Sequence, residues 1–178
     1  MSTNLVIKEG DGNSSAKLAA ERVGSFSETS PRDSAHIAKM TNSGDGWSTF
    51  FSYDNGTYTC KKACNCIVTG WVTHYAASSY TQGRGQLWVN GIQQCSYQTP
   101  SKASGSTSAH YGVLRKFKVG DTFYFRTPTD DGCPKQLGEL YVLSDKEYDR
   151  YSSLINTQST ITITAHTLIS SSATVKKV

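Results

Sequence analysis

The sequence predicts an all-β protein, an antiparallel jelly-roll β-sandwich with an extended N-terminal arm. Residues 161–169, ITITAHTLI, alternate in polarity as a half-buried strand does. Residues 111–126, YGVLRKFKVGDTFYFR, form the pattern strand, turn, strand, with the turn at Gly120-Asp121. Turn signals such as Asn90-Gly91 recur about every 8–12 residues, as is typical of a sandwich, barrel or jelly roll.

The individual strands follow from β-branched and aromatic residues between turn residues. Besides the hairpin predicted over 111–126, they cover residues 5–8, 47–53, 57–59, 66–75, 86–90, 92–97, 137–143 and 161–169. Residues 145–151 are the best candidate for a short helix. Small, Gly-containing or Pro-containing segments predict loops over residues 76–85, 99–108 and 127–135.

Residues 1–45 differ from the rest of the chain, because they hold too few large apolar residues for a core of their own. We expect this arm to be ordered only where it lies on its own jelly roll, a symmetry mate or a larger assembly. The predicted organisation is therefore an N-terminal anchoring arm over 1–45, a jelly-roll domain over 46–170 and a flexible C-terminal tail over 171–178.

Composition excludes several classes of protein. The net charge of +4 is scattered along 178 residues, whereas nucleic-acid binding needs a clustered basic face. No apolar run approaches the roughly 20 residues that cross a bilayer, so we expect no membrane insertion. The first residues, MSTNLVIKEG, lack the pattern of a signal peptide, which predicts synthesis in a cytoplasm.

The sequence contains no recognisable catalytic pattern. The four histidines, His36, His74, His110 and His166, stand without a second histidine or a carboxylate at metal-ligand spacing. Nucleophile-elbow, zinc-protease and phosphate-loop motifs are absent from the sequence. We therefore predict no enzyme, no catalytic residue, no metal site and no cofactor.

Five cysteines are many for a chain of this size: Cys60, Cys64, Cys66, Cys95 and Cys133. The odd number leaves at least one thiol free or paired between chains. The close spacing of the first three suggests metal, but a closed zinc site needs four ligands, usually from two spaced pairs. Disulfides formed in an oxidising medium and plain buried thiols remain open as well.

Two predicted loops have the composition of binding loops. Tyr offers contact area at low entropic cost, and Ser and Gly let a loop adapt to a ligand. The candidate contact residues are Tyr80, Gln82, Arg84 and Lys102. A solvated connection with no partner would have the same composition.

Three short motifs resemble the trimeric jelly rolls of the tumour-necrosis-factor and complement-head family. They are Asn55-Gly56-Thr57-Tyr58, Val89-Asn90-Gly91, and Gly120-Asp121 followed by an aromatic strand. The chain departs from the family at its end, where ITITAHTLI replaces the closing Phe-x-Gly-Phe-type strand. The resemblance implies a homotrimer in which aromatic side chains form core and trimer contacts: Trp71, Trp88, Phe123, Tyr124 and Phe125.

The N-terminus carries a second resemblance. The run from Leu5 through Gly10-Asp11-Gly12 to Glu21-Arg22-Val23 resembles a segment that opens minor structural or head-fibre proteins of tailed phages, although Glu21 and Val23 replace its Asn and Leu. It implies a virion protein on the particle surface, bound to phage capsid or tail proteins by anchors at Leu5, Val6, Ile7 and Phe26. Alternatives are a tail-tip protein that binds a host surface glycan or protein, a main shell or tail-tube subunit, and a secreted complement-like lectin.

Overall fold

Two facing β-sheets build the protein in a computed structural model, which describes residues 5–9, 15–18, 20–31, 34–44, 46–76, 83–98, 105–128, 135–157, 161–165 and 172–177. The nine-stranded sheet has the order β2 (Ser15–Leu18), β1 (Leu5–Glu9), β14 (Ile161–Ala165), β15 (Ser172–Lys177), β11 (Gly105–Phe117), β8 (Cys64–Ala76), β13 (Lys135–Leu143), β3 (Glu21–Glu28), β5 (Met40–Ser43). Its pairings are antiparallel except that of β11 with β15. The predicted all-β fold is confirmed.

The six-stranded sheet has the order β10 (Ile92–Gln98), β9 (Arg84–Val89), β12 (Thr122–Thr127), β7 (Thr57–Cys60), β6 (Phe51–Asp54), and β4 (His36–Ile37) also pairs with β12. Two helices complete the described structure, α1 (Trp47–Phe50) and α2 (Asp145–Thr157). In the part of the chain that the structure describes, neither helix has the length and apolar character that a membrane span requires.

The core lies between the two sheets and is mainly aromatic. Strand β12 shows the cause, since Phe123, Phe125 and Thr127 are buried while the residues between them face outward. The rings of Tyr58 and Phe123 stack with centroids 4.5 Å apart. Gly138 on β13 permits this packing, because a Cβ atom there would lie 2.5 Å from the Phe125 ring.

Tight turns of the predicted kind connect several strands. Asn55 and Asn90 have positive φ angles of 45° and 51°, and each is followed by a glycine with positive φ. This is the backbone that two-residue hairpins favour, and Asn-Gly adopts it at low cost. The predicted turns at Asn55-Gly56 and Asn90-Gly91 are therefore confirmed.

The segment over residues 111–126 is not a hairpin within one sheet. Its strands are confirmed, but β11 belongs to the nine-stranded sheet and β12 to the six-stranded sheet. Phe117 and Phe123 on the two strands are both buried, and their ring centroids lie 5.8 Å apart in the shared core. The turn thus joins the two layers, because each strand finds its pairing partners elsewhere in the chain.

Part of the predicted arm belongs to the sandwich. Strand β3 pairs with β13 and β5, and Phe26 is 2% exposed with its ring 4.7 Å from that of Tyr58. The prediction that Phe26 anchors the chain on another protein is therefore wrong, because its ring is packed in the core. Leu5, Val6 and Ile7 lie on β1, whose backbone pairs with β14 and β2, and their anchoring role stays a prediction.

Three further differences concern local structure. Residues 47–50, predicted as the start of a strand, form α1, because the Gly46 N–H donates to the Val23 carbonyl and the Trp47 ring packs edge-on against Tyr58. The predicted helix is longer and reaches Thr157. Residues 172–177 of the predicted tail form β15, and residues 166–169 of the last predicted strand lie outside the described residues.

Candidate binding surfaces

The outward face of the six-stranded sheet carries a row of aromatic and arginine side chains. We call Gln86, Trp88, Tyr124 and Arg126 the aromatic–arginine patch. Trp88 on β9 lies opposite Tyr124 on β12, and Gln86 lies opposite Arg126. All four side chains are half-buried. Strand alternation creates the patch, since Leu87, Phe123 and Phe125 on the same strands point into the core.

The members of this patch support one another. The Trp88 and Tyr124 rings stack at 12° with centroids 5.9 Å apart, and the Arg126 guanidinium lies 5.3 Å from the Trp88 ring. The indole N–H of Trp88 donates to Gln86 Oε1 at 3.0 Å. Trp, Tyr and Arg are the residue types that most often dominate binding energy at protein interfaces. These contacts fix the positions of the side chains, so the patch is a preorganised surface suited to contact with a partner.

The outward face of the nine-stranded sheet is divided into two halves. Helix α2 covers one half, where Tyr148 and Tyr151 are buried with Ile67, Leu114 and Tyr141 of the sheet. Asn65 Nδ2 donates to Asp145 Oδ1 at 2.7 Å, and Lys116 Nζ lies 3.3 Å from Asp149 Oδ1. These contacts hold the helix on β8 and β11.

The other half, which we call the open half because α2 does not cover it, carries an apolar pair among the described residues. Trp71 on β8 lies directly opposite Leu137 on β13, and both are half-buried. The same rows continue across β3 and β5 with small hydroxyl side chains, namely Ser25, Ser27, Thr41 and Ser43. Small side chains around an apolar pair permit close approach of another protein surface.

A buried carboxylate separates the two halves. Glu139 Oε1 accepts a hydrogen bond from Arg22 at 2.8 Å, and Glu139 Oε2 accepts one from the Tyr141 hydroxyl at 2.5 Å. The side chain of Glu139 is 3% exposed and that of Arg22 is 33% exposed. Burial, followed by the adjacent carboxylate, raises the pKa of Tyr141 well above its ordinary value. Tyr141 therefore remains a donor to Glu139 over the whole physiological pH range.

A second buried polar group joins the two sheets at one end. His36 Nε2 lies 2.6 Å from Glu28 Oε1, and the Gln136 N–H donates to Glu28 Oε2 at 2.9 Å. The Gln136 side-chain amide donates to the Arg84 carbonyl and the Thr127 hydroxyl, both at 3.0 Å. His36, which the sequence shows standing alone, thus pairs with a carboxylate eight residues before it. Since Glu28 and Gln136 are 2% and 0% exposed, a substrate has no access to this cluster.

The described strand ends that flank the predicted binding loops lie at this same end. Tyr80, Gln82 and Lys102 fall outside the described residues. Arg84 begins β9, is exposed, and donates from Nε to Gln98 Oε1 at 2.8 Å. The strand ends that flank segments 77–82 and 99–104 are neighbours in both sheets, since Ala76 pairs with Gly105 and Arg84 with Gln98. The described residues on either side of the two segments are therefore paired with one another.

Three of the predicted cysteines converge at the opposite end. Cys60, Cys64 and Cys66 are free thiols, Cys95 lies half-buried on β10, and Cys133 lies outside the described residues. The sulfur atoms of Cys64 and Cys66 are 3.1 Å apart. Within the described ranges, no group of three or more His, Cys, Asp or Glu side chains has an arrangement that could hold a metal ion. Of the three interpretations, the structure shows free thiols at Cys60, Cys64 and Cys66.

Comparison with known proteins identifies the fold. No protein-family model and no curated protein sequence matches the chain. The globular domain of zebrafish complement 1qA protein is similar in structure, with a TM-score of 0.52 and 14% identity, over 68% of this chain and 98% of that one. Murine APRIL at pH 5.0 matches with a TM-score of 0.47 and 12% identity over 68% and 98% of the two chains. The match to the complement 1qA domain thus shows that the chain has a jelly-roll fold.

Proposed function

We propose that this protein is a non-enzymatic binding module that works as a homotrimer of jelly-roll heads. The observation that carries the proposal is the open half of the nine-stranded sheet, where Trp71 and Leu137 form a half-buried apolar pair beside rows of serine and threonine. When a second copy covers the indole and the leucine side chain, apolar surface is removed from water and the free energy of association becomes more favourable. The motif resemblance to a family of trimers and the shared jelly-roll fold support the same arrangement.

The trimer is tested by measuring the mass of the purified full-length chain by light scattering over a range of concentrations. We expect three times the chain mass of 19.4 kDa. The double variant Trp71→Ala with Leu137→Ala should dissociate to monomers with unchanged secondary structure, whereas Trp88→Ala on the other sheet should remain trimeric. A wild-type monomer at every concentration contradicts the trimer, and a trimeric double variant contradicts this choice of face.

For the biological setting, we propose a tailed-phage virion protein, a head fibre or decoration protein on the particle surface. The support is the N-terminal sequence resemblance, with Leu5, Val6 and Ile7 as the remaining anchors. Strands β1 and β2 end the nine-stranded sheet, and β2 is its edge. An edge strand can pair with a strand of another protein, which is a common mode of attachment.

Attachment is tested by removing residues 1–18 from the chain, because β3, a strand of the sandwich, begins at Glu21. Particles assembled with the shortened protein should lose it, while its mass in solution should still be three times that of the shortened chain. Retention of the shortened protein at full occupancy contradicts anchoring by this segment.

A second candidate function is recognition of a host surface glycan or protein, and the aromatic–arginine patch favours it. Trp88 and Arg126 are half-buried and preorganised, so contact with a ligand orders few additional side chains. Binding of the purified protein to host cells should fall about tenfold or more in Trp88→Ala, as expected for a hot-spot residue. Thr59→Ala on the same face is the matched control, and equal binding by both variants excludes the patch as the contact.

A further inference from the structure

The end of the sandwich opposite the buried histidine brings three thiols together. Cys60 ends β7 in one sheet, and Cys64 and Cys66 begin β8 in the other. The Cys66 Sγ lies 3.1 Å from Cys64 Sγ, and the Cys60 thiol donates to the Lys62 carbonyl at 3.2 Å. Neither the proposed trimer face nor the aromatic–arginine patch includes these side chains. The proposed binding surfaces therefore do not account for the three thiols.

The backbone around the cluster is fixed by hydrogen bonds. The Cys60 N–H donates to the Asp121 carbonyl and the Gly120 N–H donates to the Cys60 carbonyl, each at 2.8 Å. The N–H groups of Lys61 and Lys62 donate to the Phe50 carbonyl at 2.8 and 3.2 Å. The short connection between the sheets is thus anchored on both sides, and the three sulfur atoms are held near one another in the folded chain.

The three thiols are not equivalent. Cys64 is half-buried, whereas Cys60 and Cys66 are 1% and 0% exposed. The hydrogen bond from Cys66 lowers the pKa of Cys64, while burial raises the pKa of Cys60 to about 11 and raises that of Cys66 well above its usual value. Thiolates are the reactive form of cysteine. Accessibility and hydrogen bonding therefore both select Cys64 as the reacting thiol.

We propose that Cys64 is an oxidation site for small hydroperoxides and that Cys66 converts the oxidised form into a Cys64–Cys66 disulfide. With hydrogen peroxide, the Cys64 sulfur attacks one peroxide oxygen and the O–O bond breaks. Cys64 becomes a sulfenic acid, and one water is released. The Cys66 sulfur then attacks the sulfenic sulfur, the S–S bond forms, and a second water leaves. Two thiols thus reduce one hydrogen peroxide to two waters.

The geometry favours Cys66 as the resolving thiol. A disulfide bond is about 2.05 Å long, so the two sulfur atoms have only about 1 Å to close. Both residues lie on one strand and face the same side, so the bond requires no movement of one sheet relative to the other. Cys60 lies in the other sheet, across the anchored connection.

Digestion with trypsin distinguishes the possible products. Cleavage after Lys61 and Lys62 places Cys60 on the peptide 40–61 and both Cys64 and Cys66 on the peptide 63–84. After treatment of the full chain with hydrogen peroxide and alkylation of remaining thiols, peptide 63–84 should be lighter by two hydrogens and unalkylated. A disulfide that joins peptides 40–61 and 63–84 overturns the assignment of Cys66.

Reaction rates of the wild-type thiols supply the second measurement, and three variants supply the third. In the untreated protein, Cys64 should react with iodoacetamide about ten times faster than Cys95, a half-buried thiol outside the cluster. Cys66→Ser should leave a Cys64 sulfenic acid that dimedone traps, Cys64→Ser should form no disulfide, and Cys95→Ser should behave as wild type. Equal rates at Cys64 and Cys95, or a disulfide between two chains, would overturn the proposal.

Discussion

The outward faces of the two sheets differ in what covers them. On the nine-stranded sheet, α2 buries Tyr151 completely and Tyr148 almost completely against the strands. On the six-stranded sheet, Trp88 and Tyr124 stay half-buried and contact mainly each other and Arg126. Aromatic residues occupy both faces, so residue type alone does not separate a covered face from an accessible one.

We therefore expect the two faces to contribute differently to stability and to binding. Apolar burial stabilises a fold in proportion to the area removed from water, so the face beneath α2 should contribute mainly to folding. Side chains that are half-buried and stacked keep area for a partner, so the aromatic–arginine patch should contribute mainly to binding. Substitutions on the two faces should therefore separate stability from binding.

The largest effect is expected beneath the helix. Tyr151→Ala removes a fully buried ring and should lower the free energy of unfolding by about 3 kcal/mol, measured by urea denaturation. Tyr151→Phe is the matched control: its hydroxyl is buried and has no hydrogen-bond partner among the described residues, so its removal should cost almost nothing. A Phe variant as unstable as the Ala variant would show that the hydroxyl, not the ring, stabilises this face.

A smaller loss is expected at the buried carboxylate beside the open half. Glu139→Gln keeps the size of the side chain but removes the charge that faces Arg22 and Tyr141, and it should cost about 2 kcal/mol. The expected loss stays below that of a fully buried pair, because Arg22 is one-third exposed and can be hydrated. Glu21→Gln, an exposed position on β3, is the control for urea denaturation, and an equal change in both variants would refute a role for the network.

On the accessible face the expected loss of stability is smaller again. Trp88→Ala removes the stacking with Tyr124 and the contact with Arg126 and should cost about 1 kcal/mol. Trp88→Phe retains a ring on Tyr124 and should recover part of that loss. If Trp88→Ala proves as destabilising as Tyr151→Ala, the contrast between the two faces does not hold.

The smallest effect concerns the turn that joins the sheets. Asp121 accepts hydrogen bonds from the Lys118 N–H and the Asn90 amide, each at 2.9 Å, and lies near Arg115. Although partial burial acts to raise it, these partners hold the net pKa of Asp121 below its usual value. A carboxyl whose pKa is lowered by folding stabilises the fold above its unfolded pKa, near 4, and loses that contribution as pH falls.

Asp121→Asn should therefore lower the urea midpoint at pH 7, and the difference from wild type should shrink between pH 4 and about pH 2. Asp54→Asn, at the other end of the six-stranded sheet, is the control for general effects of charge. A difference that stays constant down to acidic pH would show that the Asp121 charge does not contribute.

Several elements of the fold could be predicted because their causes are local. Asn90-Gly91 adopts the backbone of a tight turn whatever its surroundings, and the alternation in residues 122–127 separates inward Phe123 and Phe125 from outward Tyr124. The assignment of Phe26 as an external anchor failed, because its surroundings in the core come from strands far along the chain. The start of the predicted strand at Trp47 failed for the same reason.

The sequence by itself determined most of the strands between residues 51 and 143, the main turns and which side chains of those strands share a face, because alternation and turn chemistry act over a few residues. Only the tertiary structure decided that β11 and β12 lie in different sheets, that α2 covers one outward face, and that Arg22 meets Glu139 across 117 positions of the chain. The cause is physical: contacts between distant segments depend on how whole layers pack, and no local preference specifies them.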